Sequence, residues 1–213
     1  MKELVVNWQG AEKQISIIDG NENMKIEYEA TFENINPDEF RAKLISIGAK
    51  LKQRKFLQKR DVFNLPNNQK NSWLRVRKEA DRNTLSLKIC DGDKIENQKE
   101  IFLIINDYDA AVDFLKEIGC QWKSYQETKR ELWLLGETEI TIDWWPFLEP
   151  FVEIEGKSEK AVRKVCEKLE LNYQQALFCS VGELYKRKYG VSLDKVNNQT
   201  AKLVFEMKNP FRN

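Results

Sequence analysis

Apolar and polar residues alternate through "MKIEYEATF", residues 24–32. Ile26, Tyr28, Ala30 and Phe32 fall on one side of an extended chain, and Glu27, Glu29 and Thr31 on the other, because successive strand residues face opposite ways. A strand is predicted over 25–33. "NPDEFRAKLISIGA" then carries the signals of a helix: Asn36 as cap, Pro37 in the first turn and Gly48 as stop. A long extended stretch follows from Lys50 to Leu65 and ends in the turn "PNNQKN". "SWLRVRKE" and "TLSLKI" alternate on either side of the polar "ADRN" and predict a hairpin. "KEIFLII" is a further strand, and "DYDAAVDFLKEIG" a helix that starts near Asp107 or Asp109 and ends before Gly119. "CQWKSYQETKRELWLL" and "ETEITIDWW", joined at Gly136, form a second hairpin, followed by the strand "EPFVEIEG". "SEKAVRKVCEKLEL" predicts a helix capped by Ser158, and "SVGELYKRKYG" a shorter one. Before this series, "LVVNW" and "QISIID" suit a short hairpin about Gln9 and Gly10. After it, residues 191–213 read as an irregular tail with "KLVFEM" as an edge strand.

The strands sort charge to one face. Facing one way are Glu27 and Glu29; Lys59, Asp61 and Phe63; Trp73, Arg75 and Arg77; Ser86 and Lys88; Glu100; Thr128 and Arg130; Thr141 and Asp143; Glu153 and Glu155. The other face of most strands is apolar: Leu74 and Val76; Leu85, Leu87 and Ile89; Ile101, Leu103 and Ile105; Ile140 and Ile142; Val152 and Ile154. About eight antiparallel strands tend to close or curl. If the apolar faces hold helices, the charged faces line a lumen with five cations and seven carboxylates, counted over the residues just named. Buried charges without partners cost several kcal/mol per ion. A polyanion with a divalent metal satisfies both signs: basic groups take phosphate, and carboxylates take metal. An open sheet with a solvated charged face is the alternative.

Composition narrows the chemistry. The chain has 213 residues, 41% hydrophobic and 32% charged, with a formal net charge of +1, which gives no global attraction to nucleic acid or membrane. No apolar run approaches the roughly 20 residues that span a bilayer, so a cytoplasmic protein is expected. There is no histidine, which removes Ser-His-Asp and Cys-His catalysis and His-bound zinc. Cys90, Cys120, Cys166 and Cys179 lack a C-x-x-C spacing and read as core thiols.

The ordered set Glu27-x-Glu29, Asp61 before an aromatic, "LRVR" (Arg75, Arg77), "LSLK" (Lys88), Glu100, Arg130, Asp143 and "EIEG" (Glu153, Glu155) resembles the CYTH domain, or triphosphate tunnel metalloenzymes. These include class IV adenylyl cyclases and thiamine and inorganic triphosphatases. The resemblance covers 24–190, with 1–23 as an N-terminal extension, and "SVGELYKRKYG" looks most like the class IV cyclase branch. It implies an α+β fold: a closed eight-stranded antiparallel β-barrel with helices outside. It implies an enzyme that hydrolyses or cyclises a small triphosphate (ATP, tripolyphosphate or thiamine triphosphate), with a homodimer left open. Lys59, Arg75, Arg77, Lys88 and Arg130 would bind phosphate, and Glu27, Glu29, Asp143, Glu153 and Glu155 would hold Mg²⁺ or Mn²⁺. Asp143, Glu100 and Arg130 would serve catalysis. Two family lysines are replaced, by Thr31 and Thr128, which keeps a non-catalytic nucleotide- or polyphosphate-binding module as the alternative. Tyr185 is read as core, with closure of one tunnel mouth as the other reading; Trp144, Trp145 and Phe147 in "DWWPF" are read as packing against the C-terminal helices, with stacking of a base as the other reading.

Overall fold

Strands that are apolar on one side and charged on the other can bury both sides only by closing on themselves, and the chain does so. A computed structural model describes the backbone of residues 2–5 and 16–19, and residues 23–212 in full. Strands β1 (Lys2–Val5) and β2 (Ser16–Asp19) pair antiparallel, with Lys2 opposite Asp19. The turn expected at Gln9 and Gly10 lies outside the described residues. Strands β3 (Lys25–Ile26), β4 (Tyr28–Phe32), β5 (Lys50–Asn64), β6 (Ser72–Lys78), β7 (Asn83–Cys90), β8 (Gln98–Ile105), β9 (Gln121–Leu135), β10 (Thr138–Trp144) and β11 (Phe151–Gly156) form one antiparallel sheet. Its order is β3-β8-β7-β6-β5-β9-β10-β11-β4.

The two ends of that path, β3 and β4, are halves of one run broken at Glu27, so the nine strands make eight staves of a nearly closed barrel. At the break the Glu29 N–H donates to the Glu27 carbonyl at 3.0 Å, and the Glu27 N–H turns to the Gln98 carbonyl of β8 at 2.9 Å. The Gln98 side-chain amide donates to the Glu29 carbonyl at 3.0 Å and pins the seam.

The helices cover the outward apolar faces. α1 (Pro37–Ser46) is capped by Asn36, α2 (Tyr108–Glu117) by Asp107 and α3 (Glu159–Lys168) by Ser158, each side-chain oxygen accepting from N–H groups of the first turn. Gly48, just past α1, has φ +80°, a left-handed conformation that the chain needs to turn into β5 and that a Cβ would strain. α1 and α3 seal one outer core around Phe40, Leu44, Ile140, Ile154, Val162 and Cys166. α2 seals a second around Phe63, Val76, Val112, Leu115 and Cys120.

The segment expected to be an irregular tail is built into the fold. After α4 (Val181–Tyr189) come α5 (Leu193–Asn197) and β12 (Lys202–Leu203), the latter parallel to β9 with Leu203 beside Gln126. A third core joins Tyr185, Val196, Leu203 and Phe211 to Trp145 and Phe147. Its glue is aromatic: Tyr185 and Phe211 lie 4.9 Å apart between ring centroids. Among the described residues, no helix is long and apolar enough to cross a membrane.

Candidate functional site: a charged tunnel

The barrel encloses a cavity of about 1300 Å³. Its wall carries Glu27 and Glu29, Gln58 and Arg60, Trp73, Arg75 and Arg77, Lys88, Glu100, Arg130, Thr141, and Glu153 and Glu155. The sheet therefore turns inward nearly the face that the alternation pattern assigned to it.

β5 departs from that reading by one residue. Lys59 is exposed on the outer face, and Arg60 and Gln58 point into the cavity. Asp61 also lies outside, where its carboxylate accepts from the Tyr108 hydroxyl at 2.5 Å and the Trp122 indole at 2.6 Å. Phe63, fully buried, anchors the strand's outer side under α2. The register agrees: Arg60 stands opposite Arg77 on β6 and Gln126 on β9. Arg60 is thus the inward cation that the sequence reading missed. The signal was present, since Phe63 belongs with the outward apolar positions, and Lys59 and Asp61 share its parity.

Most lumen cations have a carboxylate. Arg130 grips Asp143 with two bonds, Nε–Oδ1 at 2.7 Å and Nη2–Oδ2 at 2.9 Å, and reaches Glu153 at 2.5 Å. Asp143 is fully buried, and the Thr141 hydroxyl donates to it at 2.6 Å. Arg75 pairs with Glu100 at 3.1 Å, Lys88 with Glu27 at 2.7 Å, and Arg77 with Glu79, which also holds Arg82. Burial works to raise the Glu100 carboxyl, but Lys88 and Arg75 beside it prevail and pull it down to about 2. Burial, then the neighbouring Arg75, pushes Arg77 down to about 10. The Nε–H groups of Arg75 and Arg77 are buried and have no acceptor among the described residues.

A belt of acids lies beside these cations. Glu29 on β4 stands directly opposite Glu155 on β11, and Glu153 is two pairs further on, opposite Thr31. Burial pushes Glu27 up to about 7 against the pull of Lys88. Glu29 is raised well above its ordinary value, by burial and then by Glu153, and burial also raises Glu153 and Glu155. These four carboxylates are hard oxygen donors that repel one another in a poorly hydrated wall, and a hard divalent cation suits them. They are not preassembled: among the described residues, no three acidic or cysteine side chains stand grouped as a ligand set. Asp143 is different, since Arg130 and Thr141 engage both of its oxygens.

The positions without the family lysines are both buried. Thr31 faces inward by parity and is bridged through its backbone to Leu177, while the Thr128 hydroxyl meets Arg60 at 2.5 Å. Tyr185 is fully buried, with its hydroxyl donating to the Pro146 carbonyl at 2.7 Å, and belongs to the C-terminal core. Trp145 packs in that core and lies against Arg60, whereas Trp144 meets Arg41 and Lys55 elsewhere.

The sequence model of the CYTH domain matches residues 25–181. No curated protein gives a match. Among solved structures, a Vibrio parahaemolyticus protein described as an adenylate cyclase candidate is similar, with TM-score 0.65 and 16% identity over 75% of this chain and 97% of its own. The PH1012 protein of Pyrococcus horikoshii OT3 is similar with TM-score 0.63 and 21% identity, over 74% of this chain and 98% of its own. An adenylyl cyclase candidate from Hippeastrum, described as having a dominant triphosphatase activity, gives TM-score 0.51 and 13% identity over 79% and 99%. At these identities the likeness is one of fold. With the family model spanning every stave of the barrel, this chain belongs to the CYTH domain family.

Proposed function

We propose that the protein is a divalent-cation-dependent enzyme that cleaves a small triphosphate compound within the barrel. The observation that carries this reading is the pair of guanidiniums, Arg75 and Arg77, whose buried Nε–H groups have no acceptor among the described residues, beside Lys88 and Arg130. Buried donors ordinarily find partners, and an anionic oxygen is the partner that suits them. Arg75, Arg77, Lys88 and Arg130 would bind phosphate oxygens. Glu100 and Asp143 would hold Arg75 and Arg130 in position, so that charge developing on the transferred phosphoryl group meets donors already oriented. Glu27, Glu29, Glu153 and Glu155 would hold Mg²⁺ or Mn²⁺. When bound, such an ion neutralises phosphate charge and acidifies a coordinated water or hydroxyl.

The test is turnover of tripolyphosphate, ATP and thiamine triphosphate with Mg²⁺ or Mn²⁺. Orthophosphate release identifies hydrolysis, and pyrophosphate from ATP identifies cyclisation. A second reading, a tunnel that binds a triphosphate without turning it over, draws on the neutral Thr31 and Thr128 in the wall. Binding of all three compounds with turnover of none would establish it, and an absence of both would refute either reading.

A further inference from the structure

Among the described residues, Arg60 has no carboxylate within ion-pair distance, whereas the lumen cations Arg75, Arg77, Lys88 and Arg130 each have one. Its side chain is held by neutral groups. Nη2 donates to the Thr128 hydroxyl at 2.5 Å and to the Gln58 amide oxygen at 3.0 Å, and Thr128 donates in turn to Gln58 at 3.0 Å. The Trp145 ring lies 4.7 Å from the guanidinium carbon. Arg60 is only 5% exposed, and its Nε–H is buried with no acceptor among the described residues. Burial and the nearby Arg75, Arg77 and Arg130 all work against its charge, while Asp143, which attracts it, is already engaged by Arg130.

A guanidinium fixed by neutral partners, among three others, is costly in the empty tunnel. It becomes favourable when an anion arrives, and Thr128, Gln58 and Trp145 leave the fork pre-oriented for it. We propose that Arg60 is a phosphate-binding residue, positioned by Thr128 and Gln58 at the end of the tunnel covered by the C-terminal segment. The inference deepens the triphosphate reading and rests on it.

The experiment measures tripolyphosphate affinity by calorimetry, and the apo thermal midpoint, for the wild type, Arg60→Met, Arg75→Met and Arg60→Met/Thr128→Lys. Arg60→Met should weaken binding about tenfold to a hundredfold, the range for a hydrogen-bonded charge. Its apo midpoint should stay level or rise, because the removed charge had no counter-ion. Lysine at position 128, next to where the guanidinium ended, should recover part of the lost affinity. If Arg60 only fills space, Arg60→Met binds as the wild type does, and the proposal is overturned while binding by the wild type and weakening by Arg75→Met keep the triphosphate reading. If the wild type itself does not bind at millimolar tripolyphosphate, both fall together. Arg60→Gln, made in parallel, carries the same expectation should the methionine variant not fold.

Discussion

Arg130 offers the opposite case to an unpaired guanidinium, and its removal should be expensive. Arg130→Met deletes three charge-assisted hydrogen bonds, two to Asp143 and one to Glu153. It leaves the buried Asp143 and the half-buried Glu153 without their cation. Hydrogen bonds to charged groups are each worth about 1.5–3 kcal/mol, but they are not additive here, because the carboxylates can reorganise or take up protons. Breaking a buried pair by removing one partner costs about 3–5 kcal/mol, and we expect that loss at pH 8. Against a typical stability of about 5–15 kcal/mol, it is a large fraction. The loss should shrink on acidification. Burial and Asp143 already raise the Glu153 carboxyl, and Arg130 pulls it back down. Without Arg130 it rises further above its unfolded value of 4.5, and a carboxyl raised in this way destabilises the fold at pH values above the unfolded one. As pH falls through the folded value the carboxyl is protonated and the penalty disappears. Urea unfolding of the wild type and Arg130→Met at pH 8 and pH 5 checks this. A deficit that is equal at both pH values, or below about 1 kcal/mol at pH 8, would refute the assignment of Arg130 as the counter-ion of Asp143 and Glu153.

Lys59→Met should leave tripolyphosphate affinity unchanged by calorimetry, since Lys59 is on the outer face; a tenfold loss would mean that the phase of β5 is wrong. Phe63→Ala should lower stability in urea by about 3–5 kcal/mol, as deleting a fully buried ring does, and a loss under 1 kcal/mol would show that Phe63 is not the anchor under α2. For Glu29→Gln, calorimetric melting of the metal-free protein should show a raised midpoint at pH 8 and little change near pH 4. Glu29 is held above its unfolded value of 4.5, so its penalty is present above that pH and absent below it; a lower midpoint at pH 8 would contradict the account of the acid belt.

The inward face was largely legible because alternation is a local property: Glu27 and Glu29, Arg75 and Arg77, and Glu153 and Glu155 each set their own phase. β5 failed because it is long, and its polar residues occupy both parities. Register shifts against β9, between Leu51 and Gln53, Gln53 and Phe56, and Val62 and Phe63, also break simple alternation. Phe63 could have fixed the phase, since an aromatic that pairs by parity with Lys59 and Asp61 must choose between the helix-covered side and the charged side. Helix starts were readable from Asn36, Asp107 and Ser158 because capping is a contact within one turn. In the C-terminal segment a strand at "KLVFEM" was readable, but its docking was not, since β12 is two residues long and owes its place to β9 and to the Tyr185–Phe211 contact, which local sequence does not announce. The pairing of Arg130 with both Asp143 and Glu153 likewise depends on side-chain reach across adjacent strands, which alternation does not specify.

The seam at Glu27 also bears on the order in which the molecule can be made. Residues 25–32 are the first barrel strand to be synthesised, yet their partners are β8 and, last of all, β11. Until residues 151–156 have emerged, β4 has no neighbour on that side, and Glu27 and Glu29 can remain hydrated. Pairings between positions so distant along the chain are slow to form, because loop-closure entropy must be met before the contact is gained. The acid belt is therefore dehydrated late, when the two ends of the sheet meet. Rates of folding should depend on the charge state of the belt, and a nascent chain waiting at this stage presents an unzipped barrel with two open edges.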